Sequence, residues 1–401
     1  MDFKMRKTGL VAFAITITIY FACVSGCRDS NGNNGGTTGT GTGTDTDTSY
    51  LPCAEIGCGY GSSFAILSDG RLAAWGDNDY GLLGDSSIEN QSVPFVLNSL
   101  DNVIDIASGT FHTVAVISNG SVFSWGKNEY GALGDNSTSI WRAPAMIKGI
   151  SGVTSIETVA SHNIALLGNG SVCTWGANLF GTIGDNSTVD RFHPIIVENL
   201  ENVTSAICGY NFSMVLLNNG SVVAWGGNES GQLGDNTTDL RSYPKVIEGL
   251  SNVSKIGCGF FHAFAILENG TLMGWGWNEY WQVGDKSGDN VLEPKVISGI
   301  GNISSITGGY DFTLALLSNG SVISFGGNAL GQLGIGTITL DNYEPQLVHE
   351  LENVKEVTCG YYHALAILED GKLFSWGSNN DGQLGDGTTS IKSIPLQVKI
   401  K

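Results

Sequence analysis

Short runs of apolar residues, separated by turns rich in glycine and asparagine, recur along the chain from residue 51 onward. In the fifth copy, the runs Val253 to Cys258 and His262 to Leu267 are followed by Asn269-Gly270 and by a third run that ends at Trp275. An Asn-Gly pair between apolar runs predicts a β-hairpin with a type I′ turn, in which both central residues take positive φ. With a fourth short run leading to a proline, each copy predicts four short antiparallel strands.

This unit is present seven times in register. The marker is a Trp-Gly or Phe-Gly pair, which recurs after 50 residues five times and then after 51. The pairs begin at Trp75, Trp125, Trp175, Trp225, Trp275, Phe325 and Trp376. Seven prolines keep the same phase, namely Pro94, Pro144, Pro194, Pro244, Pro294, Pro345 and Pro395. Repetition at this period indicates a solenoid, an array or a propeller.

A single four-stranded sheet cannot hide both of its faces from water, whereas copies stacked around an axis bury their faces against one another. No segment has the 3.6-residue apolar period of helical repeats, and open β-solenoids usually have much shorter repeats. We therefore predict an all-β protein, a seven-bladed β-propeller of residues 51–401. Because no repeat follows the strand around Pro395, we expect that strand to complete the blade that the N-terminal strands begin.

The repeats resemble those of the regulator-of-chromosome-condensation type 1 (RCC1-like) family. Residues 228–234 and 379–385 match the second half of its pattern, N-x-x-G-Q-L-G, and the resemblance extends over residues 51–401. It implies a seven-bladed propeller. Single copies depart from the pattern, with Trp281 in place of a turn glycine and Phe325 in place of tryptophan. Family members include a nuclear exchange factor for a small GTPase and a secreted bacterial propeller that inhibits β-lactamases through an aromatic-rich face.

Residues 1–26 are typical of a bacterial lipoprotein signal peptide. They consist of a basic start, an apolar run too short for a membrane-spanning helix, and small residues before Cys27. The small residues resemble a lipobox, which implies that Cys27 is acylated and becomes the first residue of the mature chain. Ordinary signal cleavage is the alternative. Residues 27–50 are rich in glycine and threonine, a composition that predicts a flexible linker.

The charge of the chain excludes one class of partner. The formal net charge is −19; the first 26 residues carry a net +2, so the remainder carries −21. Nucleic-acid binding requires lysine and arginine to neutralise phosphates. We therefore expect no nucleic-acid partner.

Histidine recurs at one repeat position, which raises the question of a metal site. Ligands must lie about 2 Å from one ion, and residues one blade apart are too far from each other for that. Phenylalanine also takes this position at Phe212 and Phe312. We predict no metal, no cofactor and no catalytic residue, since the sequence has no phosphate loop or catalytic motif either. The four histidines are His112, His162, His262 and His363.

Cysteine and aspartate also recur once per repeat. Four cysteines share a position that we interpret as small and buried near the axis, namely Cys58, Cys208, Cys258 and Cys359. A disulfide between equivalent positions of adjacent blades is expected to be too long, although an exported chain permits disulfides. The aspartates that follow each Leu-Gly pair, such as Asp235, predict turns stabilised by side-chain bonds to nearby amides.

Strand direction predicts a binding face. Since strands alternate within a blade, the turns after the first and third strands lie on one face and the Asn-Gly hairpins on the other. We predict that aromatic residues of the first two turns bind the partner, the alternative being that half of them only pack beneath the turns. The predicted binding residues are Tyr60, Phe111, Tyr210, Phe260, Phe261, Tyr310, Tyr361 and Tyr362 in the first turn, and Tyr80, Tyr130, Tyr280 and Trp281 in the second.

Together these patterns favour a monomeric, non-enzymatic propeller that is exported and lipid-anchored to the bacterial cell envelope, at the outer membrane or the cell surface. It would bind a protein or glycan partner through its aromatic face. Two alternatives stay open. One is an envelope enzyme, a glycan lyase or hydrolase, which would require a blade-specific acidic pair at the axis. The other is a purely structural surface protein.

Overall fold

The computed structural model of the chain describes residues 50–401. The predicted signal peptide, the predicted lipidation of Cys27 and the predicted linker up to residue 49 lie outside these residues. No helix of the described part is long and apolar enough to span a membrane.

The described chain forms seven four-stranded antiparallel sheets, each built from four strands that are consecutive in sequence. This confirms the seven-bladed β-propeller, with one blade for each repeat. The first strand of every blade lines the axis: β1 (Cys53–Cys58), β5 (Val103–Ser108), β9 (Val153–Thr158), β13 (Val203–Cys208), β17 (Val253–Cys258), β21 (Ile303–Gly308) and β25 (Val354–Cys359). The second strands are β2 (Ser62–Leu67), β6 (His112–Ile117), β10 (His162–Leu167), β14 (Phe212–Leu217), β18 (His262–Leu267), β22 (Phe312–Leu317) and β26 (His363–Leu368).

The outer half of each blade contains the repeated tryptophan and the repeated proline. The third strands are β3 (Leu72–Gly76), β7 (Val122–Gly126), β11 (Val172–Gly176), β15 (Val222–Gly226), β19 (Leu272–Gly276), β23 (Val322–Gly327) and β27 (Leu373–Gly377). The outermost strands are β4 (Gln91–Leu97), β8 (Trp141–Met146), β12 (Arg191–Ile196), β16 (Arg241–Val246), β20 (Val291–Val296), β24 (Asp341–Leu347) and β28 (Lys392–Val398). Each outermost strand contains one in-phase proline, which has no N–H and therefore discourages pairing with a further strand.

The hairpins between the second and third strands form where the sequence predicts them, but the predicted turn type is wrong. In the fourth blade only Gly220 of the Asn-Gly pair takes positive φ, at +78°. Its N–H donates to Leu217 O at 3.0 Å. The turn favours asparagine at position 219 because the side chain stabilises it: Asn219 Oδ1 accepts from the Ser221 N–H at 3.0 Å.

The expectation for the C-terminal strand is also wrong. β28 pairs with β27 in the seventh sheet, and β1 pairs with β2 in the first, so each end of the chain completes its own blade. The repeat period alone does not determine where a blade begins, because a shifted phase gives the same pattern of residues.

The repeated tryptophan joins neighbouring blades. All six of these tryptophans are fully buried. In the fourth blade, Trp225 Nε1 donates to Thr182 O of the third blade at 2.8 Å. A buried indole N–H requires such an acceptor. Phe325 takes the equivalent place in the sixth blade without this bond.

The same type of contact closes the ring between the seventh and first blades. Trp75 Nε1 donates to Gln383 O at 2.9 Å. The Gly387 N–H of the seventh blade donates to Ser92 O in β4 at 2.8 Å. The first and last blades are therefore joined as the other neighbours are.

Candidate binding face

The loops after the first and third strands of every blade lie on one face of the propeller, here called the aromatic face. Nine rings on this face form a connected set in which each ring centroid lies within 6.2 Å of another. This aromatic cluster consists of Tyr60, Tyr210, Phe260, Phe261, Trp277, Tyr280, Tyr310, Tyr361 and Tyr362. The structure thus brings together eight of the twelve predicted aromatic residues.

Tyr361 is the centre of the aromatic cluster. Its ring centroid lies 4.1 Å from that of Tyr60 and 4.5 Å from that of Tyr310. The ring of Phe260 lies 5.0 Å away, is only 6% exposed, and belongs to a residue that also lines the axial channel. The other eight rings are half-buried. The aromatic cluster therefore has a packed base and an accessible surface.

Backbone hydrogen bonds between successive loops hold these rings in place. The Tyr210 N–H donates to Phe260 O at 2.8 Å, and the Phe260 N–H donates to Gly309 O at 3.1 Å. The glycine before Phe260 is required by close packing, since a Cβ on Gly259 would lie 2.2 Å from Cε1 of His262. The aromatic cluster is consequently fixed by the ring of blades rather than by free loops.

Three predicted residues lie apart from the aromatic cluster. Tyr80 and Phe111 form a separate edge-to-face pair with centroids 5.4 Å apart. Lys127 Nζ lies 5.0 Å from the centroid of Tyr80 and 4.9 Å from that of Phe111. Tyr130 is 43% exposed and lines the same depression as Lys127 and Phe111. This part of the aromatic face is already occupied by a lysine of the chain itself.

The loop after the third strand of the fifth blade contains two tryptophans, Trp277 and Trp281, whose rings have different surroundings. Trp281 has a φ of +61°, and its indole lies beside Gly288, where a Cβ would be 3.6 Å from the indole Nε1. Trp277, which is absent from the predicted binding residues, belongs to the aromatic cluster at 4.9 Å from Tyr310. Its place directly after the repeated Trp-Gly pair is the sequence signal that could have identified it.

The aromatic face is strongly acidic. Its first loops, together with the first five residues of the loops after the third strands, contain seven carboxylates and one lysine. The lysine is Lys127, whose Nζ lies 2.7 Å from Glu129 Oε2. The carboxylates are Asp77, Asp79, Glu129, Glu229, Glu279, Asp311 and Asp381.

Several of these carboxylates are perturbed by their surroundings. Burial, together with the nearby charges of Asp381 and Asp79, raises the pKa of Asp77 to about 6. Burial also raises the pKa of Asp381. Asp311 is buried, which raises its pKa to about 6, and its Oδ1 accepts from Gln332 Nε2 at 3.0 Å. These groups carry a charge that no basic side chain compensates in the ion pairs of the described residues.

Behind the aromatic cluster, an axial channel of about 300 Å³ is lined by the first strands. Burial raises the pKa of Asp105 to about 7 and those of Glu157 and Glu356 to about 8. Both Asp105 oxygens accept backbone N–H groups, from Ile106 at 2.8 Å and from Ile156 of the next blade at 2.7 Å. Four carboxylates line this channel: Glu55, Asp105, Glu157 and Glu356.

Sequence reasoning missed the axial carboxylates. Glu55 and Asp105 occupy a repeat position that holds Ser155 and Lys255 in other blades, which is typical of an exposed strand residue. Glu157 lies two residues further, where no other blade has a charge. That departure from the repeat was the available signal.

The repeated cysteines lie near the axis, as predicted, although only Cys208 is fully buried, and the repeated histidines lie between blades. All four repeated cysteines line the axial channel as free thiols, and burial raises their pKa values. The histidines are buried between blades, as shown by His112 Nε2, which lies 2.8 Å from Asn163 Oδ1 of the next blade. No three histidine, cysteine, aspartate or glutamate side chains of residues 50–401 are grouped so that they could hold a metal ion. The turn role of aspartate is confirmed at Asp235, whose Oδ1 accepts from the backbone N–H of Thr237 at 3.2 Å and from its hydroxyl at 2.7 Å.

Comparison with known proteins agrees with this architecture, in which repeated four-stranded blades define a β-propeller with one aromatic face. Models of the regulator of chromosome condensation (RCC1) repeat match residues 69–116 and 119–166, and a second repeat model matches 53–82 and 103–132. The model of the RCC1-like domain matches residues 153–401. The chain belongs to the RCC1-like domain family, since this last match covers more than half of it.

Individual relatives are more distant. The chain is 44% identical over 69 residues to the human probable E3 ubiquitin-protein ligase HERC6, which covers 17% of this chain and 6% of that protein. It is 39% identical over 70 residues to the mitochondrial RCC1 domain-containing protein RUG3 of Arabidopsis thaliana, which covers 17% and 16%. The chain thus spans less than a fifth of the length of these curated relatives.

Solved structures share the fold. Human WBSCR16 superimposes with a TM-score of 0.75 at 22% identity, covering 82% of this chain and 94% of that one. Yeast RCC1 (Prp20), in its crystal structure with Kap60, superimposes with a TM-score of 0.75 at 23% identity, covering 93% and 91%.

Proposed function

We propose that the chain is a non-enzymatic, envelope-anchored propeller that binds a protein partner through the aromatic cluster. The observation that carries this proposal is the connected set of nine rings on one face, eight of them half-exposed. Tyrosine and tryptophan are enriched at the energetic centres of protein interfaces. A folded monomer seldom exposes so continuous an aromatic surface without a binding role.

The rigidity of the aromatic cluster supports a binding role. Its loops are bonded to one another around the axis, so a partner would meet rings that are already ordered. Binding to such a surface avoids the entropic cost of ordering loops and side chains.

Use of this fold by relatives supports a protein rather than another kind of partner. Yeast Prp20 is known in complex with Kap60, and another structure of Prp20p is described with its binding to Gsp1p and histones. At identities of 23% and 24% these partners belong to the yeast protein. They support protein binding as a general use of the propeller.

The anchoring part of the proposal rests on the sequence around Cys27. In a bacterial host, replacement Cys27→Ser is expected to move the chain from the membrane fraction to the soluble fraction. An unchanged membrane fraction would contradict lipid anchoring at this residue.

The axial carboxylates favour a second candidate, an enzyme acting on glycans. Glu157 and Asp105 have pKa values of about 8 and about 7, which suit proton transfer near neutral pH. Turnover of a glycan that disappears in Glu157→Gln would support this candidate. Against it, both oxygens of Asp105 are occupied by backbone N–H groups.

The test of protein binding uses random peptides displayed on phage, selected on the purified chain. The variant Tyr310→Ala with Tyr361→Ala removes the centre of the aromatic cluster and is expected to reduce recovery about tenfold or more. The matched control, Trp141→Ala with Tyr243→Ala, removes rings that are 44% and 49% exposed on outermost strands and should recover peptides as the wild type does. Equal recovery by wild type and cluster variant would refute the proposal.

A further inference from the structure

We propose that the partner presents a basic segment whose lysine or arginine side chains lie between the rings of the aromatic cluster and the carboxylates around them. This inference rests on the proposed protein-binding function and names the chemistry of the partner.

The charge of the aromatic face favours a cationic partner. The part of the aromatic face formed by the first loops and the first five residues of the loops after the third strands has seven carboxylates and one lysine, and that lysine is already paired with Glu129. A partner with acidic or phosphate groups would be repelled, whereas a cationic segment would be attracted and steered towards this face. Neutral glycans also stack on aromatic rings, but they gain nothing from the concentration of negative charge.

The positions of the carboxylates beside the aromatic cluster also favour a cation. Asp77 and Asp381 meet at Gly61, where a Cβ would lie 3.2 Å from Cβ of Asp77 and 3.1 Å from Oδ2 of Asp381. Both charges act on the hydroxyl of Tyr60, at one end of the aromatic cluster. Two carboxylates held against each other without a basic neighbour gain most from an incoming cation, because it removes their mutual repulsion.

A second acidic position lies on the other side of Tyr361. Glu279 is exposed, and its charge, like that of Asp311, acts on the hydroxyl of Tyr310 after the larger effect of burial. The rings of Tyr310, Tyr361 and Tyr60 connect the two acidic positions in one row. A segment with basic side chains on either side of an apolar contact would match this row.

The chain itself already contains a contact between a lysine, aromatic rings and a carboxylate. Lys127 Nζ lies 4.9 Å from the centroid of Phe111, 5.0 Å from that of Tyr80 and 2.7 Å from Glu129 Oε2. An ammonium group over aromatic faces and beside a carboxylate is therefore a stable arrangement on this face. The aromatic cluster offers the same combination of rings and carboxylates without a lysine of its own.

The experiment compares the phage-selected pools of three forms of the full chain. The acidic-face variant carries Asp77→Asn, Asp381→Asn and Glu279→Gln. These changes keep the shape of the side chains, and an amide oxygen can still accept the Asp79 N–H that Asp77 now accepts at 2.9 Å. The control variant carries Asp101→Asn, Glu201→Gln and Glu352→Gln, which are exposed on the opposite face and change the net charge equally. Circular dichroism and thermal melting establish that both variants fold.

We expect the wild type to select peptides enriched in lysine and arginine. A synthetic peptide of the selected consensus should bind the acidic-face variant about tenfold or more weakly, and the control variant within about twofold of the wild type. That pattern would support a basic partner at this face.

The other outcomes separate this inference from the proposed function. A selected pool that depends on Tyr310 and Tyr361 but has no basic enrichment, or that is unaffected in the acidic-face variant, would overturn the inference and leave protein binding intact. Recovery of no peptides above background would overturn both. Binding of neutral chitin oligosaccharides that depends on the same tyrosines, in place of peptide binding, would overturn the inference in favour of a glycan.

Discussion

At the scale of single residues, burial decides how the axial carboxylates titrate. In the channel, Asp105 and Glu157 lose water and repel each other, so their pKa values rise to about 7 and about 8. A carboxyl with a higher pKa in the folded than in the unfolded chain stabilises the fold fully below its unfolded pKa. This contribution is lost as the pH rises through the folded pKa.

We therefore expect the free energy of unfolding to fall from about pH 6.5 to about pH 8, where these carboxyls still hold a proton in the fold but are ionised in the unfolded chain, by up to about 1.4 kcal/mol per pH unit for each of them. Buried histidines such as His112, with a pKa of about 4, stay neutral in the fold over this range. Urea unfolding at several pH values measures the slope. Glu157→Gln should make it shallower, whereas Glu201→Gln, on the exposed surface, should not. Identical slopes for wild type and Glu157→Gln would contradict the account.

For single residues, the sequence predicts the face of the propeller on which a side chain lies but not its contacts with other blades. Tyr310 and Tyr361 could be assigned to a face because strand alternation fixes the side on which their loops emerge. Whether a ring joins the aromatic cluster depends on contacts with other blades, as Trp277 shows through its contact with Tyr310 of the sixth blade. The acidic channel could not be derived either, because Glu55 approaches Glu356 only when the ring closes.

At the scale of strands and blades, the repeated tryptophan combines apolar burial with a directional bond. Each of the six indoles fills the space between blades and donates to a carbonyl of the preceding blade. The repeat could be predicted from sequence because every blade packs against a neighbour of the same structure, so the same residues recur at the contact positions. The phase of the blades and the type of hairpin turn could not, since both depend on backbone pairing rather than on the period.

Replacement Trp225→Phe is expected to lower the free energy of unfolding by about 2 kcal/mol. It removes the bond to Thr182 O and leaves a smaller ring in the space, although Phe325 shows that phenylalanine fits this position. Equilibrium unfolding in urea measures the change. The control Trp141→Phe, at a 44% exposed position, should stay within about 0.5 kcal/mol of the wild type. Equal losses for both variants would show that the interblade bond is not what stabilises the ring.

At the scale of the whole molecule, ring closure creates the candidate binding surface. Tyr60 of the first blade stacks on Tyr361 of the seventh, so the centre of the aromatic cluster lies at the junction of the two ends of the chain. The opposite face presents the hairpins with their small polar residues. Function and fold are thus linked, because an open array of the same repeats would not bring these two rings together.

The most direct test of this account is hydrogen exchange of the full chain with and without a peptide selected on it. We expect slower exchange in the loops of residues 59–61, 309–311 and 360–362, which contain the centre of the aromatic cluster, and unchanged exchange in the hairpins of the opposite face. Protection confined to those hairpins or to the outermost strands would contradict the claim that this chain binds its partner through the aromatic face.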